Sequence, residues 1–169
     1  IGRVLAIAAA GGRLFIGGSF NTANGLPRQG LAALDGVTGA VLAWHARLTT
    51  TSPSAAAAFT LAATATRLYV AGFFDHVEGA ARNRFAVVDA STAALLLGEL
   101  SPTIIDPQIQ GIEVTSTRVF LNGGCRNGGF VICAYDPDMA PLTGWTFPPS
   151  TGPMAASSTS DTAGFSLDA

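Results

Sequence analysis

The sequence predicts an all-β fold of three repeated antiparallel sheets, from a self-similarity, the length of the apolar segments and their residue types. Arg13-Leu14-Phe15-Ile16-Gly17-Gly18 returns 54 residues later as Arg67-Leu68-Tyr69-Val70-Ala71-Gly72, and 51 residues after that as Arg118-Val119-Phe120-Leu121-Asn122-Gly123. Self-similarity at a period of about 20–50 residues is the mark of a repeat architecture. The apolar segments are six to eight residues long, rich in Val, Ile, Leu and aromatics, and bounded by Gly and Asn. They hold no sustained helical period, so they read as strands.

Within the first copy four strands are expected, Val4 to Ala10, Arg13 to Phe20, Gly30 to Asp35 and Ala40 to Ala46. Upstream of each copy's second strand, Ile7, Leu61 and Ile112 share one offset. Downstream, Leu31-Ala32-Ala33-Leu34-Asp35 matches Phe85-Ala86-Val87-Val88-Asp89 and Ile132-Cys133-Ala134-Tyr135-Asp136. The first two copies share Gly25/Gly79 and Arg28/Arg82 in the middle loop, where the third is four residues shorter. The strands are apolar almost throughout, as in sheets covered on both faces. Leu14, Ile16, Leu68, Val70, Val119 and Leu121 are therefore expected to be buried in middle strands. Ala8-Ala9-Ala10 and Ala62-Ala63 suit a first strand crowded toward a central axis, while the third copy places Val114 and Thr115 there.

This pattern predicts a β-propeller-like chain of three four-stranded antiparallel blades, at 1–48, 55–101 and 108–147, with 148–169 as a linker or the start of a further blade. Propellers close with four to eight blades. The three blades are accordingly expected to form part of an incomplete or larger propeller. Its partners would be further blades of the same polypeptide or neighbouring protein chains.

Composition narrows the function. Of 169 residues 49% are hydrophobic and 12% charged, and all nine basic residues are Arg against eleven acids. A formal charge of −2 gives no footprint for nucleic acid. No apolar run approaches the roughly 18 residues of a membrane helix, so no membrane insertion is expected. His45 and His76 do not recur between copies. The Asp75, His76, Glu78 group reads as a solvated loop tip rather than a cation site. Asp136-Pro137-Asp138 reads as a Pro-initiated turn rather than a calcium loop. Gly123-Gly124 and Gly128-Gly129 have no Lys or following helix and read as hairpin glycines. No catalytic residue, cofactor or metal ligand is assigned. Arg13, Arg67 and Arg118 open second strands where Asp35, Asp89 and Asp136 close third strands, which predicts an Arg–Asp contact inside each blade. The loop carrying Arg28 and Arg82 is the candidate binding loop, because loops gathered on one rim are where such scaffolds recognise ligands.

Leu14 to Phe20, Asn24-Gly25-Leu26-Pro27-Arg28, Leu31 to Asp35 and Thr38-Gly39-Ala40-Val41-Leu42-Ala43-Trp44 resemble the delta-sixty class of β-propeller repeats. The second copy keeps Gly79, Arg82-Asn83 and Asp89 but has Gly98 at the Trp position. The third recovers Trp145 nine residues after Asp136, the separation of Trp44 from Asp35. The resemblance implies a secreted or cell-surface propeller module without an assigned reaction. Residues 33–44 also resemble the blade motif of quinoprotein dehydrogenases, in which the Trp docks one blade onto the next. That family's vicinal cysteine pair and acidic calcium ligands have no counterpart in this sequence. The expected function is thus a non-enzymatic extracellular scaffold or interaction module. Alternatives are a propeller segment of a quinoprotein-like or other secreted enzyme whose catalytic residues lie outside this chain, and a carbohydrate-binding propeller.

An extracellular location supplies an oxidising compartment. Cys125, ending the second strand of the third copy, and Cys133, in its third strand, are the only cysteines and are expected to pair. A competing register sets Arg118 opposite Asp136 and therefore Cys133 opposite Leu121, some 13 Å along the strand from Cys125 at the usual rise. Two buried thiols are the alternative.

Overall fold

The computed structural model describes residues 2–97, 109–123 and 132–142, and every regular element among them is a strand. Strand β1 (Val4–Ala10) turns through Gly11-Gly12, both at positive φ, into β2 (Arg13–Gly18). A small hairpin follows, β3 (Thr22–Ala23) and β4 (Leu26–Pro27), around Asn24 and Gly25 at φ 46° and 77°. Two successive residues at positive φ match the twist of a two-residue hairpin, which is why Asn-Gly stands there. Strand β5 (Leu31–Asp35) then returns to pair with β2, giving the order β1-β2-β5.

The chain crosses over through β6 (Leu48–Thr49) and repeats the plan. Strands β7 (Ala57–Ala63) and β8 (Arg67–Phe73) lead to a hairpin, β9 (His76–Val77) and β10 (Ala80–Ala81), around Glu78-Gly79. Strand β11 (Phe85–Asp89) completes the second sheet in the order β11-β8-β7. Strands β12 (Gly111–Val114), β13 (Val119–Asn122) and β14 (Cys133–Tyr135) form the third, in the order β12-β13-β14. All pairings are antiparallel, and the Arg-initiated segment is central in each sheet.

Each sheet has three strands where four were expected, and no ring closes among the described residues. The fourth segment survives as one bridge per sheet, Leu34 to Val41, Val88 to Leu95 and Tyr135 to Pro141. In the first sheet Asp35 N donates to Ala40 O and Leu42 N to Ala33 O, and then the segment leaves. Two contacts engage it there. The Leu42 carbonyl accepts from Arg28, and Trp44 crosses to the second sheet.

Two apolar seams hold the sheets face to face. Phe15, Leu31, Ala33 and Trp44 of the first repeat pack against Leu61, Leu68, Val70 and Val88 of the second. On its other face, Tyr69, Phe85 and Val87 meet Ile112, Val119 and Leu121 of the third. Burying one such side chain stabilises by about 1.5–3 kcal/mol, against about 0–1 kcal/mol for an exposed ion pair. Packing therefore dominates the seams. Gly17 sets their closeness, since a Cβ there would stand 2.8 Å from the Ala58 Cβ.

Leu68, Val70, Val119 and Leu121 are buried as expected. Leu14 and Ile16 are only partly buried, a correction. They lie on the face of the first sheet turned away from the second, where Ile16 packs only against the small cluster of Phe20, Ala23 and Ala32 rather than against a whole neighbouring sheet.

Candidate functional site

The turn after the third strand recurs with its Asp in one role. The Asp35 carboxylate accepts from Val37 N at 3.1 Å, Thr38 N at 2.7 Å and Thr38 Oγ1 at 2.8 Å. Asp89 accepts from Ser91 N at 2.8 Å, Thr92 N at 2.6 Å and Thr92 Oγ1 at 3.0 Å. Asp136 does the same for Asp138 N and Ala140 N. These donors, led by the Thr38 and Thr92 amides, hold Asp35 and Asp89 below the usual carboxylate range. Each turn then passes through a left-handed residue, Gly39, Ala93 or Met139.

That role corrects the expected Arg–Asp contact. Arg13 does stand opposite Asp35, and Arg67 opposite Asp89, in the strand register. Their guanidiniums pass these neighbours, whose carboxylates already serve the turn, and reach the next sheet. Arg67 donates to Pro137 O and, at 2.7 Å, to Asp138. Tyr69 Oη donates to the same Pro137 carbonyl at 3.1 Å. Arg13 Nη1 lies 3.4 Å from Ser91 Oγ, and Trp44 Nε1 donates to Asp89 O at 3.0 Å. Ser91 and Asp138 are both two residues past the turn Asp, so one position receives the Arg of the preceding repeat at both seams. The Asp138 bond raises the Arg67 pKa, while burial raises that of Tyr69.

The rim hairpins carry Arg28 and Arg82. Arg28 donates from Nη1 to Pro27 O and from Nη2 to Leu42 O, both at 2.7 Å. Arg82 repeats this with Ala81 O at 2.5 Å and Leu97 O at 2.6 Å. Each guanidinium ties its hairpin to the departing fourth segment of its own sheet, and both side chains remain partly exposed on the rim.

The group expected as a solvated loop tip is a clasp on the connection between sheets. The Asp75 carboxylate accepts from Thr51 N at 2.7 Å and Thr51 Oγ1 at 2.5 Å, and lies 2.6 Å from His76 Nδ1. Those contacts, the Thr51 hydroxyl first, hold its pKa far below the usual carboxylate range. Glu78 accepts from Arg47 N and stands 3.3 Å from His45 Nδ1. The clasp fixes the connection where β6 pairs with β9. A shallow groove opens beside it, bordered by Thr51, Phe73, Asn83 and Arg84, with the Arg84 guanidinium 5.0 Å from the Phe73 ring centre. One sequence signal marks the clasp: the position of Asp75 in the first copy is Asn21.

Among the described residues no group of three His, Cys, Asp or Glu side chains could hold a metal ion, and no helix is long and apolar enough to cross a membrane. Cys133 stands opposite Leu121, the register that also sets Arg118 opposite Asp136. Cys125, Gly124, Gly128, Gly129 and Trp145 lie outside the described residues. No protein-family model matches the chain, and no curated protein matches it.

Proposed function

We propose that the chain is a stretch of propeller blades serving as a non-enzymatic extracellular or cell-surface scaffold, an interaction module within a larger structure. One observation carries this reading: equivalent residues make equivalent contacts at both seams. Arg13 and Arg67 each reach the position two past the next turn Asp, and Phe15 and Tyr69 each fill the seam ahead of them. Such repetition is how quasi-one-dimensional arrays gain stability, each unit contacting only its neighbours. The recurring polar side chains also have structural partners, the Asp residues within their turns and Arg28 and Arg82 on main-chain carbonyls. Further blades are the expected partners, and the rim with Arg28 and Arg82 is the surface offered to a ligand.

The test has two arms. Purified chain, with and without added quinone and calcium, is expected to give no dye reduction and no ester or glycoside hydrolysis. Quinone-dependent dye reduction that disappears in Asp136→Ala would overturn the reading in favour of a quinoprotein-like enzyme. Protease treatment of intact source cells should cut the protein. Complete protection until lysis would refute the surface location.

A further inference from the structure

We infer that the face of the first sheet turned away from the second is a docking site for one further blade of this same repeat, linked to it as the first sheet is linked to the second. This rests on the propeller reading and assigns the site and its occupant.

Equivalent residues in the three copies reveal the site. Leu61 and Ile112 are 7% and 8% exposed, each covered by the sheet before it, whereas Ile7 at the same position is 65% exposed. Val4 is 52% exposed where its equivalent Ala58 is fully buried. Leu14, Ile16 and Leu34 are half-buried where Leu68, Val70 and Val88 are sealed. The first sheet thus presents the side-chain types that the second buries, on the same strands; Phe20 and Ala23 cover it beside Ile16 and Ala32, and Val4 and Ile7 are left open. Large apolar side chains exposed together on one sheet face mark an interaction site.

The edge of the rim hairpin points to the same occupant. Strand β9 pairs on one side with β10 and on the other with β6, from the connection that leads out of the preceding sheet. Strand β3 pairs with β4 alone. A blade linked as the first is to the second would lay its own connecting strand along β3 while its sheet covers Ile7. The turn beyond β5 is open as well. Val37, 94% exposed, occupies the position of Ser91 and Asp138, and Gly36 that of Pro137. An incoming Arg or Tyr would there find a main-chain carbonyl.

Chemistry at the opposite end of the chain separates this occupant from a second copy. Ala8 and Ala62 pack into the two seams as small apolar side chains. Their equivalent in the third sheet is the exposed Glu113. Placing that sheet over Ile7 would bury a carboxylate against an apolar face without a partner, which is strongly unfavourable. The occupant therefore carries a small residue at the Ala8 position and an aromatic at the Phe15 position, as the first two repeats do.

The test extends the full chain at its N-terminus with a duplicate of residues 1–54, which preserves the spacing between the first two copies. In the natural chain, Ile7→Asp is expected to shift the Tm by less than about 2 °C, as for an exposed position. In the extended chain, amide exchange across the internal copy of 4–10 should slow at least about tenfold, and Ile7→Asp there should lower the Tm by more than about 8 °C. If that variant fails to fold, internal Ile7→Ala should still lower the Tm by several degrees, against no loss in the natural chain. Equal tolerance of Ile7→Asp in both chains would overturn the proposal. So would exchange in the natural chain as slow over 4–10 as over 57–63, which would mean that the chain covers its own face. A natural-chain dimer that Ile7→Asp dissolves would likewise refute it, making a second copy the occupant. Enzymatic turnover would refute the scaffold reading and leave these outcomes unchanged.

Discussion

The indole N–H of Trp44 donates to the main-chain carbonyl of Asp89 across 3.0 Å, joining the tail of the first repeat to the end of the third strand in the second. The same ring meets Phe15 of its own repeat edge to face at 5.2 Å and lies in the cluster with Leu68 and Val88 of the second, so one side chain carries both a directional bond and apolar packing at the seam.

The two contributions can be separated by substitution. Trp44→Phe keeps much of the packing and loses the donor, at an expected cost of about 1–2 kcal/mol from the hydrogen bond and the smaller ring. Trp44→Ala removes both and is expected to cost about 3–5 kcal/mol. Urea unfolding of the three proteins measures the order. Equal losses in the two variants would show that packing by the ring contributes little.

A glycine pair sets the bulged start of each of the first two sheets. A Cβ on Gly72 would stand 2.1 Å from Ala57 O, beside the register shift between Ala58 and Thr60, and one on Gly18 would stand 1.9 Å from Arg3 O. The strands must move apart to admit it, so Gly72→Ala is expected to cost about 3 kcal/mol or more, toward the upper end for overpacked sites. Gly25→Ala meets nothing within 4 Å and has only its φ of 77° against it, a cost of about 1 kcal/mol. Thermal unfolding should rank Gly25→Ala well above Gly72→Ala. The reverse order would refute this account of the bulge.

Much of the fold was legible because recurrence reports strand position directly. Val4 to Ala10 appeared as a strand with the bounds read from the sequence, and Arg13 and Asp35 took opposite places in the register. What the strand pattern could not carry was side-chain direction. Opposed strand ends brought Arg67 beside Asp89, yet three donors from the following turn already occupied that carboxylate, and the guanidinium crossed to Asp138. The expected fourth strand failed for a related reason. Its apolar residues fit a strand, but each sheet keeps one bridge to it, and in the first two the segment's carbonyls, Leu42 O and Leu97 O, accept from Arg28 and Arg82 instead. The clasp at Asp75 was hidden because its partner Thr51 sits 24 residues upstream, in a Ser/Thr stretch read only as connection. Arg28 and Arg82 were singled out by recurrence, and the structure places both on main-chain carbonyls.

The two cysteines allow a decisive measurement. Cys133, in the third strand of the third sheet, stands opposite Leu121. The extracellular reading favours a bridge between the two cysteines. Thiol titration of unfolded, unreduced protein is expected to find no free thiol per chain, and reduction is expected to lower the Tm. Two free thiols would remove the bridge and weaken the surface assignment with it.

Acid should act first on the carboxylates that receive donors. Asp35, Asp75 and Asp89 are all held below the usual range, Asp75 furthest, by the Thr51 hydroxyl and amide and then by His76. A carboxylate whose folded pKa lies below its unfolded value, about 3.9 for Asp, contributes its full stabilisation above that value. The contribution is lost as pH falls through the folded pKa. Stability should therefore decline below about pH 4 as these groups bind protons more readily in the unfolded chain. Asp75→Asn removes the most displaced of them. The variant should be less stable than the parent at pH 7, should show a shallower decline on acidification, and should converge with the parent near the acid end. Thr51→Val, which deletes the hydroxyl donor and keeps the amide, should lie between the two. Denaturant midpoints for all three proteins from pH 7 down to pH 2 decide the matter, and parallel curves for parent and Asp75→Asn would show that the clasp carries no proton-linked stability.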